Sequence, residues 1–115
     1  MSIFRIDASE SQAINSNYIQ SIDITLQNLG HEEFDMLIQG TNPSGTTFTY
    51  LYHLNPVSAA NSVIHIPDIY TNYESFSLLL VTNINTYATT AVTLHMKSNG
   101  HVVAIFTQDN FVRIH

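Results

Sequence analysis

Six histidines, His31, His53, His65, His95, His101 and His115, are the side chains that would hold a metal here, if any do. A zinc centre built from histidine and carboxylate needs three or four ligands to converge. None of the six stands in a tight His-x-His pair. His53, His65 and His95 lie opposite the apolar positions of their segments and are expected to face outward. His31 and His101 fall at turns, and His115 is terminal. The expectation is solvated histidines, with no metal and no cofactor. Glu32, Glu33 and Asp35 form the one acidic cluster, with Glu33 and Asp35 opposite Phe34 and Met36 on a strand. Paired carboxylates serve glycoside hydrolysis or calcium, which takes about six to eight oxygens, and no loop has that density. A charged face guarding a sheet edge against aggregation is the simpler account.

No nucleophile elbow, phosphate loop, H-E-x-x-H or dinucleotide fingerprint is present. With four glycines in the whole chain, a phosphate cradle is not expected. The absence of cysteine removes disulfides, thiol catalysis and cysteine-ligated zinc together. An enzyme is therefore not expected. The tyrosines are 18, 50, 52, 70, 73 and 87. Tyr70 and Tyr73 flank a turn beside Asp68, Asn72 and Glu74. Aromatics among amides and carboxylates suit a sugar site, and they also suit packed strand ends. They are the alternative ligand site, that of a small lectin-like or accessory binding domain.

These groups need a scaffold, and composition narrows it. The 115 residues suffice for one core. Charged residues make up only 10%, against about 25% in an average domain. Ser, Thr, Asn and Gln must cover the surface, as suits a β protein or one later covered by neighbours. The net charge is −6, and Arg5, Lys97 and Arg113 are the only Lys or Arg side chains. Nucleic-acid affinity rests on several such cations meeting phosphates, so neither nucleic acid nor an anionic membrane is an expected partner. No apolar run approaches the roughly 20 residues of a membrane helix. No basic segment leads into an apolar one as in a signal peptide.

Period-2 alternation runs through the chain and helical periodicity is hard to find. Ile22, Ile24 and Leu26 share a face; so do Phe34, Met36 and Ile38, in a strand closed by Gly40. A loop is expected at 41–47, then a strand with Phe48, Tyr50, Tyr52 and Leu54 on one side. Ile64 and Ile66 make a short strand that Pro67 should end, because proline cannot donate to a ladder. Phe76, Leu78 and Leu80 mark the strand expected to be central, since its other face also carries Leu79 and Val81. Val92, Leu94 and Met96 lead to Asn99-Gly100, the best hairpin signal. Val102, Ala104 and Phe106 return, and Val112 and Ile114 close the chain. With no helix to cover a sheet, the fold must be sheet on sheet. The expected class is all-β: a jelly-roll-like antiparallel β-sandwich of about eight strands with an N-terminal extension strand.

That extension, "SIFRIDASESQ", is an apolar run at 2–7 followed by ten mostly polar residues from Ala8 to Asn17. The run reads either as the first strand of the domain's own sheet or as a strand given to a neighbour. The second reading divides the chain into a connector, 1–17, and a sandwich, 18–115. The leash exceeds a hairpin loop and reaches about 30 Å when extended. Capping a neighbour's sheet edge is β-augmentation, and a head-to-tail contact that does not close makes fibres. In this plan the chain resembles the jelly-roll subunits of endospore appendages, the spore-surface fibres of Bacillus-type bacteria. The matching features are the short connector, the Cys-free Thr/Asn-rich β domain and the ending "AVTLHMKSNGHVVAIFTQDNFVRI". The better-known appendage subunits carry connector cysteines, which this chain lacks, so the resemblance is to a non-covalent donor-strand type. It implies a non-catalytic structural subunit in an open homo-oligomeric filament on a spore or cell surface, with an anchoring or tip protein as a further partner. Ile3, Phe4, Arg5 and Ile6 would form the donor strand, with 8–17 as hinge.

Overall fold

The computed structural model of the protein describes residues 2–10, 13–84 and 89–114; Tyr87 and His115 lie outside them. Among the described residues nine strands form: β1 (Ser2–Ala8), β2 (Ser21–Asn28), β3 (Phe34–Asn42), β4 (Gly45–Leu54), β5 (Val63–Tyr70), β6 (Phe76–Thr82), β7 (Thr90–Ser98), β8 (His101–Thr107) and β9 (Val112–Arg113). They build two antiparallel sheets, ordered β4-β3-β6-β1-β9 and β5-β2-β7-β8. The protein is an all-β sandwich, and β6 is the middle strand of the larger sheet. β1 pairs with β9, β2 with β7 and β3 with β6, a nested order of jelly-roll type. β4 instead returns on β3, and β5 lies on β2.

Alternation sets which side chains enter the core. Ile22, Ile24, Leu26, Met36, Ile38, Leu78, Leu80, Leu94 and Met96 are at most 1% exposed. Each inward residue alternates with an outward one, so a one-residue slip would turn a whole strand inside out. The hairpin at Asn99-Gly100 has positive φ at both residues (53° and 81°), as its primed turn requires.

Three local expectations are corrected. Segment 41–47 is not an open loop. β3 runs to Asn42 and β4 starts at Gly45, with the Ser44 N–H donating to Asn42 Oδ1 at 2.9 Å and Gly45 at φ 124°. Gly40 does not close β3. It lies inside the strand opposite Phe48, whose ring occupies the space a Cβ would need. Pro67 does not end β5, because β5 is an edge strand where no donor is needed. Register slips between Ile22 and Ile24, and Asp68 takes φ 54°, so β5 bulges and continues to Tyr70.

Gly40→Ala is expected to lower stability by about 1–3 kcal/mol through overpacking. Urea midpoints will measure this, and adding Phe48→Leu should restore part of the loss.

Candidate assembly site

Residues 2–7, with Ala8, form β1 and lie between β6 and β9. The register is Ser2–Thr82, Phe4–Leu80, Ile6–Leu78 and Ala8–Phe76 along β6, and Phe4–Arg113 and Arg5–Val112 along β9. Ile114 N–H donates to Ile3 O at 2.8 Å. Alternation divides the four residues singled out above. Phe4 and Ile6 point into the core at 7% and 4% exposure, Ile3 is half-buried on the outer face, and Arg5 is exposed there. Ser2 and Ala8 are buried too, and Ser2 Oγ donates to Ile84 O at 3.0 Å.

The outer side of β1 is polar at one end. Arg5 Nε donates to Asp7 Oδ1 at 2.9 Å, and Ser77 Oγ on β6 donates to the same oxygen. Partial burial alone would raise the Asp7 carboxyl, but the bonds from Ser77 and Arg5 outweigh it and hold Asp7 below its ordinary value of 3.8. A carboxyl lowered in the fold contributes stability above its unfolded value and loses it as pH falls through the folded value. Asp7 therefore fastens β1 to β6 at neutral pH and releases that contribution in acid. Asp7→Asn is expected to flatten the fall in unfolding midpoint between about pH 5 and pH 3; an unchanged slope would remove Asp7 from the account.

The connection from β1 to β2 folds first on itself. Ser9 N–H donates to Ile14 O at 3.1 Å, Ser16 N–H to Ser9 O at 3.4 Å, and Asn17 N–H to Asn15 Oδ1 at 2.9 Å. Its backbone bonds to the body begin at Ile19 and Gln20. Their carbonyls accept from Thr71, Asn72 and Tyr73, and Gln20 N–H donates to Lys97 O at 2.8 Å. Side chains before that anchor are also seated, with Ile14 packed against the core and Ser16 1% exposed.

The other sequence candidates are placed as follows. His53 on β4 faces outward and bonds Asp35 Oδ1 through Nδ1 at 2.7 Å, with Glu33 Oε2 3.5 Å from Nε2. The acidic cluster therefore has a histidine partner across the ladder, which neither segment alone reveals. Asp35 chiefly, then Glu33, raises the His53 pKa above 6.5. A raised histidine contributes below its unfolded value and loses that contribution as pH rises through the folded value. His65 bonds Thr25 Oγ1 at 2.9 Å. Among the described residues, no three His, Asp or Glu side chains converge as a metal site.

Tyr70 and Tyr73 border different hollows, which share Glu74 and Ser75. Tyr70 borders a small hollow of about 160 Å³ with Phe48 and Asn72, whereas Tyr73 borders another with Glu10 and Asn17. Tyr73 Oη also bonds Ser98 Oγ at 2.9 Å. A drug-sized ligand fills about 300–1,000 Å³; the hollow at Tyr70 falls short of this, and the one at Tyr73, about 310 Å³, lies at its lower end.

The sequence did not reveal the partner of β1. β6 was marked as central by Leu78 and Leu80, but nothing local says that β1 is its partner 70 residues away. The class that fold and site define is an antiparallel β-sandwich with its N-terminal strand seated between β6 and β9. No family model matches the chain, and no curated protein or solved structure does.

Proposed function

We propose that the protein is a structural subunit that builds an extracellular filament, on a spore or cell surface, by exchanging β1 between copies. The observation that carries this reading is the seat of β1. It pairs along its whole length with β6 and at Phe4 and Arg5 with β9, and a connection with backbone bonds of its own at Ser9 and Ser16 joins it to β2. A neighbour's β1 entering the same slot would make the same hydrogen bonds and bury the same Phe4, Ile6 and Ala8. Exchange therefore changes the chain that supplies the strand without changing the contacts, and an open head-to-tail series grows into a fibre.

The rest of the surface suits a covered subunit. β4 and β8 end their sheets, and neither carries a Lys, Arg, Asp or Glu. Long uncharged edges of this kind pair readily with other chains. β5, in contrast, is guarded by Pro67 and its bulge, and β9 is two residues long.

Electron microscopy of negatively stained samples tests the proposal. The full chain should form filaments, and a chain without residues 1–12 should form none. Compact particles from both would overturn it and leave β1 to its own sheet.

A further inference from the structure

The two solvent faces of the sandwich differ in kind. On the smaller sheet, Asp23, Thr25, His65, Thr93, His95 and Lys97 face out, and Lys97 Nζ bridges Asp23 at 3.0 Å and Asp68 at 2.6 Å. The middle of that face is polar and internally paired, with Ile105 beside His95 and Val63 beside Gln27 as apolar residues on its two edge strands. On the larger sheet, Leu51, Leu37, Val81 and Ile3 lie side by side in register across β4, β3, β6 and β1. Leu79 and Val112 continue the apolar surface in the adjoining row, on either side of Arg5. Leu51 is 70% exposed and Val112 69%. One outward apolar residue is ordinary; a contiguous stripe spanning every strand of a sheet marks a contact surface.

We infer that this outer face packs against the same face of a second copy, in a two-fold contact separate from strand exchange. Shape is the first argument: a sheet face is matched by another sheet face, stacked about 10 Å away. Area is the second. Five strands spaced about 4.8 Å apart, over about four outward rows, give roughly 600 Å² per copy, or about 1,200 Å² together, at the lower bound of a specific interface. Charge is the third. At a net charge of −6, two copies repel over most approaches. Among the described residues, the charges on this face are partnered: Arg5 with Asp7, and Asp35 and Glu33 with His53 in the row beside Leu37 and Leu51. Ile3 lies within the row, so the face is complete only when a β1 strand fills the slot, whichever chain supplies it.

The test is Leu51→Glu with Val112→Glu in the full chain, with Thr93→Glu on the inner strand β7 of the other face as control. Analytical ultracentrifugation and electron microscopy read the result at matched unfolding midpoints. If the chain stays unexchanged, wild type and control should sediment at twice 12.9 kDa, and the double variant should need at least about tenfold more protein to do so. If strand exchange operates, wild-type filaments should lie in pairs while the double variant forms single filaments of unchanged subunit repeat. Equal self-association, or equal pairing, in wild type and double variant would overturn the inference. So would a wild-type chain that stays single at about 100 μM and instead floats with phosphatidylcholine vesicles. Loss of filaments on deleting residues 1–12 belongs to the strand-exchange reading and does not bear on the face contact in the undeleted chain.

Discussion

Shortening Ile6 to alanine is expected to lower the unfolding free energy by about 2–5 kcal/mol, the cost of removing a large aliphatic side chain from a close-packed core. Ile6 is 4% exposed, opposite Leu78 on the central strand. Its core neighbours come from strands far away in sequence, so little can collapse into the space. The loss should be the same whichever chain supplies β1, because the slot is the same. In a filament it should also appear as disassembly at lower urea. Arg5→Ala, one residue earlier, removes only an exposed pair with Asp7 and should cost no more than about 1 kcal/mol. Urea unfolding of the two variants makes the comparison. Equal effects would mean that β1 is not seated through Phe4 and Ile6.

Asn28→Leu should be about as damaging, at roughly 2–5 kcal/mol, for a different reason. Asn28 is fully buried at the end of β2. Its Nδ2 donates to Glu32 O at 2.8 Å and to Asn55 O at 3.1 Å, and its Oδ1 accepts from Gly30 N–H at 2.9 Å. One side chain thus ties together the turn after β2 and the chain leaving β4. A leucine of similar size fills the volume but strands two carbonyls and an N–H, and each buried orphan costs about 1–3 kcal/mol. Thermal unfolding will measure it. A near-neutral variant would show that water replaces the amide.

Asn28 also shows where the sequence stops being legible. Beside Leu29-Gly30 it reads as an ordinary turn residue, yet the chain packs it against Asn55, 27 residues on. Inward faces were readable because alternation is local: Ile22, Ile24, Leu26, Leu78 and Leu80 are where period 2 places them. The Asn99-Gly100 hairpin was readable because its dihedral demand is local too. Strand partners were not, since pairing is decided by long-range packing that leaves no local mark. Pro67 misled for the same reason: whether a proline ends a strand depends on its lying at an edge, and edges are a property of the whole sheet. At the candidate site, the apolar alternation of residues 2–7 was visible. The β6 partner, the β9 flank and the Asp7–Ser77 bond were not, because the first and last need the register across about 70 residues and the flank across 107, from Arg5 to Val112. The outer stripe was half visible, in Leu79 and Val81, and became a surface only when Leu37, Leu51 and Ile3 were brought beside them.

The central claim is that β1 crosses between chains, and a disulfide trap reads that directly. Asp7 and Ser77 are register partners whose side chains touch, and the chain has no other cysteine to interfere. Facing residues of neighbouring strands lie about 4.5–5.5 Å apart at Cα, within the span of a disulfide. The full chain carrying Asp7→Cys and Ser77→Cys would be assembled, oxidised and run on a denaturing gel without reductant. Strand exchange predicts a ladder of covalent multimers that collapses to a single band on reduction. A single fast-running monomer, oxidised within its own chain, would contradict it.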